Sequence, residues 1–481
     1  NNKIHHNNLY ADALLSINKS FFDDKFSLSF NLGASILDDK NDGEGFEGHL
    51  ATLANKFSVY NVDMSHSQTK PYADRYHDQT QAVYATAQLG YNGMVYLDVT
   101  ARNEWASQLA FTPHMNIFYP SVGLSAVISS MADLSKAGIS FLKVRASYAE
   151  VGNAPQRFIT GVNTPLQTGG IVSSDSYAPA VNLTPERTKS FEVGLTMRFL
   201  KHFNLDFTYY NSHTSNQTFD PQISGGTGFS KIIIQSGNVR NQGIELALGY
   251  RNTWRDFTWD TNYTLSTNQN KIVSLANNVI NYATGERFSI DRLNMGGLGD
   301  ALFLLQEGGT LGDLYSRRDL RYDENNAIYI DENGNVATET IQDVKKYVKL
   351  GSVLPDANMS WRNDFRWKNL NFGFMVAARL GGIVYSRTQA MLDQYGVSEA
   401  TAAARDAGGV TLNGGDVVDA YTWYSAIAGG NSIPQFYTYS ATNVRLQEAS
   451  IGYTIPRKVL RNVCEITVSI VGRNLWMLYN K

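Results

Sequence analysis

Polar and apolar residues alternate one by one along much of this chain, and the stretch from Gly237 to Asn268 shows the pattern that the other informative parts repeat. Ile244, Leu246, Leu248 and Tyr250 share one face against Glu245, Ala247 and Gly249. After a polar turn, Phe257, Trp259, Tyr263 and Leu265 oppose Thr258, Asp260, Asn262, Thr264, Ser266 and Asn268. A period of two is the mark of a β-strand. The second run holds its alternation for about a dozen residues and carries aromatic side chains near its turn end. Both features suit a tilted strand that crosses a bilayer, with lipid on one face and a wet lumen on the other.

The same unit recurs along the chain. Leu9 to Asn18 and Phe26 to Ser35 form a hairpin across Lys19 to Lys25. Ala85 to Tyr91 meets Val95 to Ala101 across Asn92-Gly93, the strongest short hairpin signal, because both turn residues must tolerate positive φ. Val122 to Ile128 precedes Leu142 to Tyr148, and Phe191 to Phe199 returns along Phe203 to Tyr209 through Leu200 to His202. Trp361, Phe365 and Trp367 turn at Lys368-Asn369 into Leu370, Phe372, Phe374 and Val376. Val444 to Ile455 turns at Pro456 to Asn462 into Cys464 to Asn474. Between hairpins lie long polar connections: Leu37 to Gln79, Asn103 to Tyr119, Val151 to Arg187, Ser212 to Ser236, Lys271 to Pro355, and a segment running to Thr442 with a helical turn at Asp419 to Ile427.

Short and long connections therefore alternate along about fourteen strands. The pattern predicts an all-β fold, a transmembrane antiparallel β-barrel with tight periplasmic turns and long extracellular loops. A soluble sandwich or propeller needs no such asymmetry, and its strands average about 5–6 residues. Lys143, Arg145, Glu192, Arg198, Asp206, Glu245 and Asp260 all fall on the polar face. A slip of one residue would turn them to lipid, where Arg or Lys at the midplane costs about 2–4 kcal/mol, so the register is strongly specified.

Composition narrows the picture further. The chain has 27 Tyr, 23 Phe and 40 Gly but only 11 Pro, and its mean hydropathy is slightly negative. No apolar run reaches the roughly 18 residues of a transmembrane helix; the longest, Asn371 to Tyr385, contains Arg379. A net charge of −3 gives no reason to expect a nucleic-acid partner. One cysteine, Cys464, rules out a disulfide framework and a cysteine metal site; it reads as an inert residue on the apolar face of its strand. Asn1 to Asn8 is polar and does not read as a signal peptide, so any export signal is expected upstream.

Gly237 to Leu248 (GNVRNQGIELAL) resembles the G-x-[VI]-x-N-x-G-[IV]-E-[LI] signature of TonB-dependent outer-membrane receptors, in particular the SusC/RagA group. Leu97 to Ser107, Phe118 to Ser129, Phe141 to Asn153, Leu183 to Leu195, Leu354 to Trp361, Asn443 to Leu460 and Val471 to Trp476 fit that group in order. The resemblance implies a barrel of about 22 strands, an N-terminal plug, a TonB-binding segment, and a SusD-like surface lipoprotein that closes over the loops. It implies a ligand, oligosaccharide or peptide, held between the two. Residues 1–481 are then expected to be the C-terminal portion of the barrel, an incomplete arc without plug or closing strand. The remaining strands are expected from the rest of a longer receptor, rather than from a separate chain.

Sites of chemistry are sparse. Asp323 to Asn335 lacks the D-x-[DN]-x-[DN]-G spacing of a calcium loop and reads as a hairpin turning at Asn333-Gly334. Gly296, Gly297 and Gly299 do not complete G-x-G-x-x-G and read as a flexible loop. His5 and His6, being adjacent, point to opposite faces and read as a polar terminus. No G-x-S-x-G, H-E-x-x-H or C-x-x-C occurs. No catalytic residue, cofactor or metal site is assigned, and substrate-binding residues stay open. Tyr421, Trp423, Tyr424, Phe436 and Tyr437 are candidate exposed loop aromatics, suited equally to a ligand, an interface or a partner. The expected function is nutrient import across the outer membrane of a Gram-negative, Bacteroidetes-like bacterium, powered through TonB. An enzyme on the barrel rim, or an adhesion or assembly component anchored by the barrel, is the alternative.

Overall fold

The computed structural model describes residues 2–481 except 111, 160–165, 168–170, 173–176, 179–182, 223–228, 230, 282–283, 457, 460 and 462. Parts of the expected connections at 151–187 and 212–236, and of the turn at 456–462, lie outside the described residues. Fourteen long strands form one antiparallel path in chain order: β1 (Asn2–Phe21), β2 (Phe26–Glu47), β3 (Lys70–Tyr91), β4 (Val95–Ala106), β5 (Asn116–Val127), β6 (Ile139–Asn153), β7 (Glu186–Phe199), β8 (Phe203–Phe219), β9 (Ile234–Trp254), β10 (Phe257–Thr267), β11 (Ala357–Trp367), β12 (Leu370–Leu380), β13 (Asn443–Ile455) and β14 (Ile466–Asn480). A shorter strand, Gln269–Ser274, pairs with the outer part of β9. Among the described residues β1 pairs only with β2 and β14 only with β13, so the sheet is an open arc.

Each tight turn contains at least one residue in the left-handed region, which lets a connection of two to four residues match the strand twist. Asn92 and Gly93 have φ of 50° and 66°, Leu200 and Lys201 49° and 63°, Arg255 54° and Lys368 52°. The expected hairpins are all present, and several strands run further than alternation alone suggested. β2 and β3 reach 22 residues each, about 70 Å at the usual rise, whereas a bilayer crossing takes only about 9–11. The connection expected at Leu37 to Gln79 thus shrinks to 48–69. Ser212 to Phe219 and Ile234 to Ser236, read as loop, are strand. In these segments the outward face turns polar while the ladder continues, because backbone pairing above the membrane needs no lipid-facing residue. Ile128 is a correction in the other direction: it opens a helical turn, Ile128–Met131.

Register divides the sheet into two faces. One row runs Leu28, Leu89, Leu97, Leu124, Ala146, Val193, Tyr209 and Ile244 through eight successive strands. Another runs Trp259, Phe365, Phe372, Ile451 and Ile470. Many of these side chains are exposed, and a contiguous exposed apolar band of this extent marks a surface that something other than water covers. Near the tight turns the apolar face becomes a run of ring contacts, some stacked and some tilted or edge-on: Phe199–Phe203 at 5.2 Å, Phe203–Tyr250 at 4.8 Å, Tyr250–Trp259 at 5.3 Å, Trp259–Phe365 at 6.2 Å and Phe365–Phe372 at 6.1 Å. An aromatic girdle of this kind marks a membrane interface. Glu245 pairs with Thr208 and Ser266, and Asp260 with Asp364, all on the opposite face, as expected.

Candidate functional site

The polar face is built from side chains that reach across strands. Arg145 on β6 passes over Gly194 on β7 to donate to Asp206 Oδ1 (2.9 Å) and Thr208 Oγ1 (2.6 Å) on β8. A Cβ on Gly194 would lie 2.5 Å from the guanidinium carbon, so only glycine leaves the path open. Tyr84 crosses Gly33 in the same way, donating to Asp12 at 2.8 Å. Further round, Glu448 accepts from both Arg362 (3.3 Å) and Arg473 (3.1 Å), and Arg362 also holds Asp364 at 2.7 Å. Replacing Gly194 with valine is expected to cost about 1–3 kcal/mol. In an Arg145→Ala background most of that cost should vanish, and a double-mutant cycle of urea unfolding in vesicles checks the coupling.

The excursion at 268–356 is folded and extends over this wall. Arg292–Leu298, Ala301–Gln306, Asp313–Ser316 and Val348–Ser352 form a four-stranded sheet. Its buried carboxylates are paired, Asp300 with Arg317 (2.7 Å) and Asp313 with Lys349 (2.6 Å), because an unpaired buried charge would be costly. Gly296 and Gly297 are therefore part of a strand, which corrects the reading of a flexible loop; φ of 79° at Gly296 and 67° at Gly299 makes the bulge and the turn. The acidic segment makes two tight hairpins, closed by the bridges Tyr322–Ile328 and Ile330–Val336. Asp331 accepts the backbone N–H groups of Asn335 and Asn333, which hold its carboxyl below the usual range.

The second large excursion, 381–442, carries three helices: α1 (Arg387–Gln394), α2 (Glu399–Asp406) and α3 (Ala420–Ile427). Ser386, Ser398 and Asp419 cap them by accepting the backbone N–H three residues on. The bond from the Thr422 hydroxyl is the main reason the Asp419 carboxyl is lowered. The loop aromatics divide here. Tyr421 is 80 % exposed, but Trp423 and Tyr437 are 8 % and 2 % exposed, and Trp423 meets Phe436 edge-on at 5.4 Å. Trp423 and Tyr437 belong to a core with Leu320, Val336, Ala390 and Ile433, which corrects their reading as exposed. Burial, followed by the neighbouring Asp393, pushes the Tyr437 hydroxyl upward. Cys464 is exposed and lies just before β14, not on its apolar face.

Where the roof sheet meets the outer ends of β11 to β14, the polar face opens into a cavity of about 880 Å³. Leu298, Phe303, Leu314 and Val353 approach from the roof, and Ile383 and Tyr385 from the short ladder Ile383–Tyr385 with Thr438–Ser440. Asn358, Arg379, Arg445 and Asn480 approach from the wall. Alternation gave no sign of these residues beyond placing Arg445 on a strand and Arg379 in an apolar run. Their shared position, on the polar face at the outer ends of strands that flank the longest connections, is the signal that finds them. Among the described residues no group of three or more His, Cys, Asp and Glu is placed to hold a metal ion.

The sequence profile of the family described as "TonB dependent receptor-like, beta-barrel" matches residues 4–381. The chain belongs to that family. A TonB-dependent receptor β-barrel accounts for the two faces of the sheet, one for lipid and one for a lumen, and the family is one of transporters. TonB-dependent receptor P3 of Formosa agariphila is 26 % identical over 97 % of this chain and 48 % of its own length. TonB-dependent receptor SusC of Bacteroides thetaiotaomicron is 27 % identical over 42 % of this chain and 20 % of its own length. The RagAB peptide importer in its open-open state superposes with a TM-score of 0.72 at 16 % identity, over 99 % of this chain and 52 % of that one. The receptor barrel described here thus spans about half the length of the relative and the solved structure that it matches almost end to end.

Proposed function

We propose that this barrel is the later part of a SusC/RagA-type importer that takes up oligosaccharides or peptides across the outer membrane of a Bacteroidetes-like bacterium. A SusD-like surface lipoprotein covers its loops, and TonB supplies the energy through parts of the receptor beyond residues 1–481. The observation that carries this reading is the arrangement of the polar wall: strands of membrane length enclose a charged, hydrogen-bonded face whose outer end is roofed by two folded loop units. A passive anchor needs no such roofed lumen, whereas an importer needs a ligand chamber at the outer end and a polar route beneath it. The similarity of the sheet to the RagAB importer supports the same reading.

Native mass spectrometry of the receptor purified from its own outer membrane, with uptake assays in cells lacking it, tests the proposal. A co-purifying surface lipoprotein and a TonB-dependent loss of peptide or oligosaccharide uptake are the expected results. A receptor that purifies alone and whose deletion leaves uptake unchanged would refute it.

A further inference from the structure

The cavity between the roof sheet and the outer ends of β11 to β14 has an uneven charge. Two guanidinium groups, Arg379 and Arg445, line it, and among the described residues no Asp or Glu does. Of the carboxylates nearby, Glu448 is held by Arg362 and Arg473, Asp300 by Arg317 and Asp313 by Lys349; Asp356, whose carboxylate lies against Gly381, makes no ion pair with either cavity arginine. Arg379 donates one bond, from Nη2 to the Val353 carbonyl at 2.6 Å, while its buried Nε has no acceptor. Arg445 forms no ion pair among the described residues. Arg379 lies opposite Asn443 and Arg445 opposite Ala377, so the two arginines are diagonal neighbours on adjoining strands, within reach of one ligand group. The rest of the lining is mainly aliphatic: Leu298, Leu314, Val353, Ile383 and Met477.

We propose, on the basis of the importer reading, that this cavity receives the C-terminal end of a peptide, with its carboxylate on Arg445 and Arg379 and an apolar side chain against the aliphatic half. An arginine fork matches a carboxylate in geometry as well as charge. The volume lies within the range of small-ligand pockets. An acidic oligosaccharide would satisfy the two charges but not the remaining surface. Sugar rings stack on flat aromatic faces, and among the described residues the lining has only Phe303 and Tyr385, the latter with its hydroxyl bound to Ser432 at 2.6 Å.

Binding to the receptor purified from its own outer membrane, measured by fluorescence anisotropy, separates the possibilities. The probes are a mixed tetrapeptide library ending in Leu, Ile or Phe as free acids, the same library amidated, and oligogalacturonate. The free acids are expected to bind about tenfold tighter than the amides, the size of one charge-assisted hydrogen bond. Arg445→Gln should erase that preference and Arg445→Lys should keep part of it. Arg445 is exposed, so both variants are expected to fold. Equal binding of acids and amides, or a preference that survives Arg445→Gln, would overturn the assignment. Oligogalacturonate binding that Arg445→Gln abolishes would assign the cavity to an acidic glycan and likewise overturn it. Peptide or glycan uptake that persists in either case leaves the importer reading standing, whereas a receptor that takes up neither sinks both.

Discussion

Arginine in place of Leu195 is expected to destabilise the barrel by about 2–4 kcal/mol, the range for a cation at the bilayer midplane. Leu195 lies in the middle of the apolar segment of β7, between Val144 on β6 and Phe207 on β8, and Leu246 and Leu265 continue the row. No carboxylate shares that face within the row, so the guanidinium would have to reach an interface or draw water into the hydrocarbon. Glu192, three residues away on the polar face, provides the control. Glu192→Arg should change stability by about 0.5 kcal/mol or less. Urea titration of both variants folded into phospholipid vesicles reads the difference, and equal costs would mean that the two faces have been assigned wrongly.

The second large effect is expected in the loops. Trp423→Ala should remove about 3–5 kcal/mol from the unit formed by 318–340 and 385–437, because the indole packs among Ile427, Ala428, Ile433 and Tyr437 and ties α3 to Phe436. The neighbouring Tyr421→Ala, at a highly exposed position, should cost about 0.5 kcal/mol or less. Limited proteolysis of the folded receptor checks this. Cleavage within 382–442 should accelerate for Trp423→Ala and not for Tyr421→Ala, while the thermal transition of the strands stays where it was. If the strands lose stability in parallel, the loop unit is not an independent layer.

Alternation carried most of the sheet. The hairpin at Asn92-Gly93, the faces of Glu245 and Asp260, and the helical turn at Asp419 were all legible, because each depends on neighbours within a few residues. What escaped depends on distant contacts. Ser212 to Phe219 looks like loop from composition, yet it lies beyond the hydrocarbon, where strand pairing is held by backbone bonds and neither face must be apolar. Trp423 and Tyr437 looked exposed because a short loop helix shows no core of its own; theirs is completed by Leu320 and Val336, roughly a hundred residues earlier. Arg379 and Arg445 carry no motif, and only the roof over them turns two wall residues into a pocket.

The strictly sequential order of the strands also bears on assembly. Seven hairpins join neighbouring strands, five of them across two to four residues, so their contacts form between close neighbours in the chain and are available early. The next contacts join hairpin to hairpin, and the most demanding of them brings β11 to β10 across the excursion at 268–356. Closing a longer loop adds only about 0.6 kcal/mol for each doubling of its length. The larger obstacle is the exposed edge of β10 while its partner is still far away. A roof sheet that folds first draws Thr267 and Ala357 together and shortens that wait. The roof sheet would then act twice: once as a template during insertion and afterwards as the ceiling of the finished chamber.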